Sequence, residues 1–194
     1  MLQVKEFKFA ADFPGISLKS IEEHLKLYQG YVKKVNEIRE ELQTADKSEA
    51  NATYSFIGEL KREETFALNG ARLHENYFAV LGGDGEAKGK VADMIAEKFG
   101  SVEKWLEEMT AAGMTARGWA ITVYDIHLKE LSIVTTDTQN LGPVFSTVPV
   151  VALDVYEHAY FMDYGTARKS YIEAFFKNLD WGKIDELADH HGIK

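Results

Sequence analysis

Apolar and polar residues alternate along this chain in two distinct rhythms. From Ser17 onward Ile21, Leu25, Tyr28, Val32, Val35 and Leu42 recur at spacings of three, four or seven, which is one buried stripe of an α-helix. Ser17-Leu18-Lys19-Ser20-Ile21-Glu22-Glu23 places a hydroxyl and early carboxylates where a helix start leaves its amides free, so the helix is expected from there to about Gln43. Asp46 to Ala52 is polar and interrupts the pattern. A second helix is expected over Tyr54 to Val80, ending at Gly82-Gly83-Asp84-Gly85, where glycine permits turns that a helix interior disfavours. Two long helices and a short connection predict an antiparallel hairpin. Lys88 to Phe99 before Gly100, and Ser101 to Ala112 before Gly113, predict two shorter helices, each stopped by its glycine.

The rhythm changes after Gly118. Trp119–Tyr124, Leu131–Thr136 and Val148–Leu153 are short β-branched or aromatic runs separated by turn residues, and they predict three strands of a small antiparallel sheet. The third run is apolar at nearly every position, which predicts burial on both faces. Tyr160 to Lys177 then reads as one helix and Trp181 to His190 as a last short one. The expected architecture is α+β: a helical hairpin over residues 1–84 and an α/β domain with the three-stranded sheet over residues 85–194.

Composition narrows the function. In 194 residues, 45% hydrophobic and 12% aromatic content supports a sizeable core. The absence of cysteine removes disulfides, thiolate zinc sites, iron–sulfur clusters and cysteine nucleophiles, so any metal must sit on His, Asp or Glu. A formal net charge of -9, with no dense stripe of Lys and Arg, argues against nucleic acid as a partner. Neither a membrane span nor a charged-then-apolar export signal is visible, and the expected location is cytoplasmic.

Four residues combine into a candidate metal site. His24 shares its helix stripe with Tyr28, Tyr31 and Val35 and so points inward, where an imidazole needs a partner. His74, among Leu73, Tyr77 and Phe78, can face it across the hairpin. Asp154 ends the apolar third strand, where a carboxylate is costly unless it is paired or bound to a cation, and His158 follows four residues later. Three imidazoles and one carboxylate suit iron, manganese or zinc. The spacing alone leaves each histidine free to be structural. No histidine has Glu three residues before it, which removes a helical di-iron site, and His-Glu-x-x-His is absent, which removes that class of zinc hydrolase.

The wording of the sequence goes further. Asp154-Val155-Tyr156-Glu157-His158-Ala159-Tyr160 resembles the Asp-x-Trp-Glu-His-Ala-Tyr signature of iron/manganese superoxide dismutases. Asp163-Tyr164, Ala167-Arg168, Tyr171, Trp181, Phe99-Gly100-Ser101 and Gly118-Trp119 are similar to that family's pattern in the same order. So are Ile21-Glu22-Glu23-His24 with Gln29-Gly30-Tyr31-Val32, and His74 with Tyr77-Phe78. The resemblance implies one iron or manganese ion per chain on His24, His74, Asp154 and His158, with superoxide as substrate. It also implies a homodimer in which Glu157 of one chain reaches His158 of the other.

Departures from the family are informative. Tyr31 lies seven residues beyond His24 where most members space the gateway tyrosine by eight. Seven residues make almost two turns of a regular helix, so an unbulged helix with His24 as ligand is expected, in preference to Glu23 as ligand. Leu27 or Tyr28 stands where a second histidine usually lies, and Phe161 aligns with its usual tyrosine partner from the other subunit. Tyr156 and Ile121 replace two tryptophans. Gly70 fills the helix position from which many iron enzymes supply a glutamine to the metal-bound solvent. Gln139, one residue beyond the aligned Thr138, is the expected substitute, a manganese-type placement, and Tyr31 and Gln139 are the expected catalytic side chains. His127, His190 and His191 are assigned to solvent. A homologue that binds metal without useful turnover is the alternative function.

Overall fold

The computed structural model describes residues 1–193. Helix α1 spans Leu18–Thr44, capped by Ser17, whose side chain accepts from the amide of Ser20. Helix α2 spans Phe56–Ala79, capped in the same way by Ser55, and lies antiparallel against α1. Ile21, His24, Tyr28, Val32 and Val35 form the buried stripe of α1, with Leu25 and Leu42 half-buried at its margin. The hairpin is further tied by the extended N-terminal segment. Leu2 exchanges hydrogen bonds with the Asn36 side chain, the Lys5 amide donates to the Tyr28 hydroxyl, and Phe7 and Phe9 pack on Phe78.

After the hairpin the chain passes directly against its own C-terminal part. The amides of Gly82 and Gly83 both donate to the Asn178 carbonyl, and a Cβ on Gly83 would lie 2.3 Å from the Leu179 carbonyl oxygen. Only glycine fits that crossing. Helices α3 (Lys90–Phe99) and α4 (Val102–Thr115) follow, separated by Gly100 in the left-handed conformation. The expected stop at Gly113 is corrected, since α4 continues to Thr115. Gly113 serves packing: a Cβ there would meet Ile172 at 2.9 Å and Leu153 at 3.0 Å.

Strands β1 (Trp119–Asp125), β2 (Glu130–Thr136) and β3 (Thr147–Asp154) form one antiparallel sheet in the order β2-β1-β3. The strand buried on both faces is the central one, β1, whereas the first half of β3 is only half-buried. The expected burial holds from Val150 to Leu153 and fails at Val148 and Pro149, where the strand begins half-buried. One face, with Trp119, Ile121 and Val123, turns toward α2, whose Asn76 side chain accepts from the Ala152 amide and donates to the Pro149 and Val150 carbonyls. The other face turns toward α4, where the Trp105 indole donates to the Thr122 hydroxyl.

A single 3-10 turn over Glu157–Ala159 follows β3. The expected helix over Tyr160–Lys177 is two helices, α5 (Phe161–Tyr164) and α6 (Arg168–Lys177), because Gly165 turns the chain at φ 53°. Helix α7 (Trp181–His190) closes the fold. Among the described residues no helix is long and apolar enough to cross a membrane.

Candidate metal centre

Four elements deliver one side chain each to a common point. α1 brings His24, α2 brings His74, the end of β3 brings Asp154, and the 3-10 turn brings His158. One ligand atom from each lies within 4.8 Å of the other three. The focus is Asp154 Oδ2, with His24 Nε2 at 3.1 Å, His158 Nε2 at 3.1 Å and His74 Nε2 at 3.5 Å. The other carboxylate oxygen accepts from the Tyr156 amide at 2.9 Å, so the carboxylate is held with Oδ2 toward the imidazoles. The Asp154 backbone is fixed too, its carbonyl accepting from the Tyr171 hydroxyl at 2.8 Å.

The protonation of His74 follows from one contact. Its Nδ1 lies 2.6 Å from the Gly70 carbonyl oxygen, which can only accept, so Nδ1 carries the proton and Nε2 carries a lone pair. That Nε2 is buried and has no hydrogen-bond partner, and it faces a carboxylate oxygen that also brings lone pairs. Two acceptors pointed at each other in a dry interior are unfavourable without a positive charge between them. A cation satisfies both, and three nitrogens with one carboxylate oxygen form a mixed set suited to a first-row metal such as iron, manganese or zinc. The residues therefore fit a metal ion.

The electrostatics agree with that fit. Burial lowers His24 against the opposing pull of Asp154, and it lowers His74 to about 3, its neighbour His24 adding to the effect. Burial acts to raise Asp154, but the hydrogen bonds and charges of His158 and His24 outweigh it and keep the carboxylate ionised. His158, nearer the surface, is moved the other way: burial lowers it, and the Asp154 contact more than compensates. For His24, His74 and Asp154 these directions favour the protonation states that ligation requires, whereas His158 is shifted toward its protonated form by Asp154 and would give up that proton on binding an ion.

A second layer lies over this cluster. Gln139 is fully buried. Its Oε1 accepts from the Trp119 indole at 2.8 Å and its Nε2 donates to the Tyr31 hydroxyl at 3.1 Å, which fixes the orientation of the amide. Tyr31 is half-buried and packs on His74 with ring centroids 5.2 Å apart, while Trp119 meets His74 edge-on at 5.1 Å. Tyr31 and His24 lie on one face of α1, a continuous α-helix without a bulge. Thr138 bonds instead to Asn140, and Glu23 is exposed and paired with Lys26, so neither reaches the cluster. A Cβ on Gly70 would stand 2.8 Å from the Tyr31 ring, so the space above that helix position belongs to the tyrosine. Tyr156 stacks on His158 at 5.3 Å, and burial, with Tyr31 and Asp154 nearby, pushes its phenol up to about 12.

His127, His190 and His191 are exposed and are not part of this cluster. Three supporting residues were not singled out from the sequence for their contacts: Trp119 as donor to Gln139, Asn76 as clamp on β3, and Tyr171 as donor to Asp154. Asn76 had a signal, a polar residue among the buried His74, Tyr77 and Phe78 in the last turns of α2.

Comparison with known proteins adds an independent line. A family model described as iron/manganese superoxide dismutases, C-terminal domain, matches residues 87–187. A protein named superoxide dismutase [Fe] from Aquifex pyrophilus is 41% identical over 191 residues, covering 95% of this chain and 90% of the relative. One named superoxide dismutase [Mn] 1 from Halobacterium salinarum is 40% identical over 162 residues, covering 82% and 79%. One named superoxide dismutase [Fe] from Cupriavidus metallidurans is 37% identical over 175 residues, covering 88% and 87%.

Proposed function

The chain belongs to the iron/manganese superoxide dismutase family, and we propose that it disproportionates superoxide at a single iron or manganese ion held by His24, His74, Asp154 and His158. The observation that carries the ligand assignment is the buried, partnerless Nε2 of His74 opposite the ionised Asp154 carboxylate. When bound, the ion supplies one-electron chemistry: an electron taken from one superoxide, which leaves as oxygen, is passed to a second, which leaves with two protons as hydrogen peroxide.

The protein's own residues set the conditions. Burial excludes water from His24, His74 and Asp154, so charges act there through a low dielectric. Tyr31 is the half-exposed side chain at the mouth. Its hydroxyl oxygen accepts from Gln139, so its own hydrogen is free to donate into the cleft, and burial raises the phenol so that it keeps that proton. Gln139, locked by Trp119, presents a fixed dipole from behind. Such outer groups favour one protonation state of metal-bound solvent over another.

The same reading includes a homodimer. Glu157 is exposed and His158 has 27% of its side chain open, and with Tyr156 and Arg168 they border a concavity of about 590 Å³. Phe161 and Met162 beside it expose apolar surface. In this reading the carboxylate of Glu157 accepts from the second ring nitrogen of the partner chain's copy of His158.

The test is metal content and superoxide disproportionation measured on protein reconstituted separately with iron and with manganese. Near one ion per chain with turnover on at least one metal supports the proposal. Full loading with no turnover on either metal overturns it in favour of a metal-binding homologue. For the dimer, Glu157→Ala should lower the sedimenting mass and weaken metal retention together, and an unchanged dimer would count against the bridge.

A further inference from the structure

Strand β3 does not pair with β1 in one unbroken register. Val123 stands opposite Pro149, yet its neighbour Thr122 stands opposite Val151, so Val150 is an extra residue on β3, a β-bulge. Pro149 suits the place, since it has no amide to give to the ladder. The bulge decides where the strand ends. With it, Asp154 lies opposite Trp119. In the register that Val123 and Pro149 would otherwise continue, Leu153 would take that place. A slip of one residue would also turn the Asp154 side chain to the other face of the sheet, away from His74.

A bulge disrupts the ladder and leaves backbone groups to be satisfied elsewhere. β3 is an edge strand with no further strand beyond it, and one side chain takes that role. The Asn76 amide donates to the Pro149 carbonyl at 3.2 Å and to the Val150 carbonyl at 3.3 Å, and its oxygen accepts from the Ala152 amide at 2.8 Å. These contacts converge on the extra residue and on the strand just after it. Asn76 lies two residues beyond His74 on α2, and Ala152 two residues before Asp154 on β3. One planar group therefore fixes the helix that carries one proposed ligand against the strand that carries another.

We propose that Asn76 is a positioning residue for the metal centre: it holds the bulge at Val150 and thereby sets Asp154 in register with the three imidazoles. Its side chain hydrogen-bonds backbone groups of β3 and none of the four ligand side chains, so it acts through the strand. The inference rests on the assignment of Asp154 as a ligand.

Asn76→Leu, close in volume and without polar side-chain atoms, tests it with and without metal. In the metal-free protein the Ala152 amide, followed by hydrogen exchange, should exchange about tenfold faster than in the original. Metal affinity, measured by competition with a chelator, should fall about tenfold. Electron paramagnetic resonance of the iron(III)-loaded protein at saturating metal should show an altered ligand field, which a loss of stability alone would not change. Asn76→Asp is the second variant should the first fail to fold. It keeps the acceptor for the Ala152 amide, which should stay protected, but sets a carboxylate oxygen against the Pro149 and Val150 carbonyls, so metal affinity should still fall. Unchanged exchange of Ala152 in Asn76→Leu overturns the proposal, and so do a metal affinity and spectrum equal to the original in a folded variant. An unsubstituted protein that takes up no ion would overturn the ligand assignment and this inference with it, a result distinct from any difference between the variants and the original.

Discussion

Gln139 and Tyr31 stand 108 residues apart in sequence, and the glutamine amide donates to the tyrosine hydroxyl across 3.1 Å. The contact joins the turn after β2 to the first long helix above His74. Removing the amide should leave the four proposed ligands in place while freeing Tyr31 and altering the field at the ion. Gln139→Ala is expected to retain full metal and to lose activity by about ten- to a hundredfold, the usual cost of losing an outer-shell partner. Elemental analysis beside a dismutase assay checks both halves. Normal turnover would mean that the amide does not tune the centre.

Gly70 gives a second, independent handle on the same tyrosine. A methyl group there would lie 2.8 to 3.0 Å from three atoms of the Tyr31 ring, closer than such atoms approach. The ring must tilt away, and the hydrogen bond to Gln139 stretches with it. Gly70→Ala should therefore lower activity several-fold with metal content intact, although alanine is the better helix former by roughly 1 kcal/mol. Activity and metal equal to the original would show that the ring yields without consequence.

Much of this arrangement was legible in the sequence, for reasons specific to each residue. Ser17 announced its helix because a hydroxyl just before an apolar periodic run satisfies free amides, and it caps as expected; Ser55 caps α2 in the same way without having been singled out. Strand identity was legible from β-branched runs, and inward placement of His24 from its offsets to Tyr28 and Val35. What stayed hidden depends on contacts between distant segments. Gly113 looks like a helix stop in isolation, and only its distance from Leu153 and Ile172 shows that it is a packing site within α4. Gly165 breaks the helical run over 160–177 at a residue that periodicity alone passes over. The choice between Thr138 and Gln139 depended on which way a turn residue points, and the short bridge between Thr138 and Leu141 decides that.

The hairpin carries a pH-sensitive link of its own. Glu64 on α2 accepts from Arg39 of α1 at 3.0 Å and from Lys61 at 3.0 Å, and these bonds, Arg39 first, hold its carboxyl below the ordinary 4.5. A depressed folded value means the contribution is complete above 4.5 and is lost as pH falls through the folded value. Glu64→Gln should lower the stability of the metal-free protein by up to about 1 kcal/mol at neutral pH, in the range of partly exposed ion pairs. The gap should close at acid pH. Urea unfolding of both proteins at pH 7 and pH 3 checks it, and a gap that widens on acidification would reverse the sign.

His74 tests what metal does for the fold as well as for the chemistry. The proposed ligands come from α1, α2, the end of β3 and the turn after it, so one ion would tie together four separate segments of the fold. An ion that binds the folded chain and not the unfolded one adds about 4 kcal/mol when free metal exceeds the dissociation constant a thousandfold. His74→Ala removes one of four donors and leaves Asp154 with less compensation, so the variant should lose both its metal and that stabilisation. Its melting temperature should then fall well below that of the loaded protein and stop responding to added iron or manganese. The unsubstituted protein should drop on metal withdrawal and recover on reloading. Calorimetry on these samples reads this directly. A variant that still melts higher with metal added would show that His74 is not required for binding, and the ligand set would have to be redrawn around His24, Asp154 and His158.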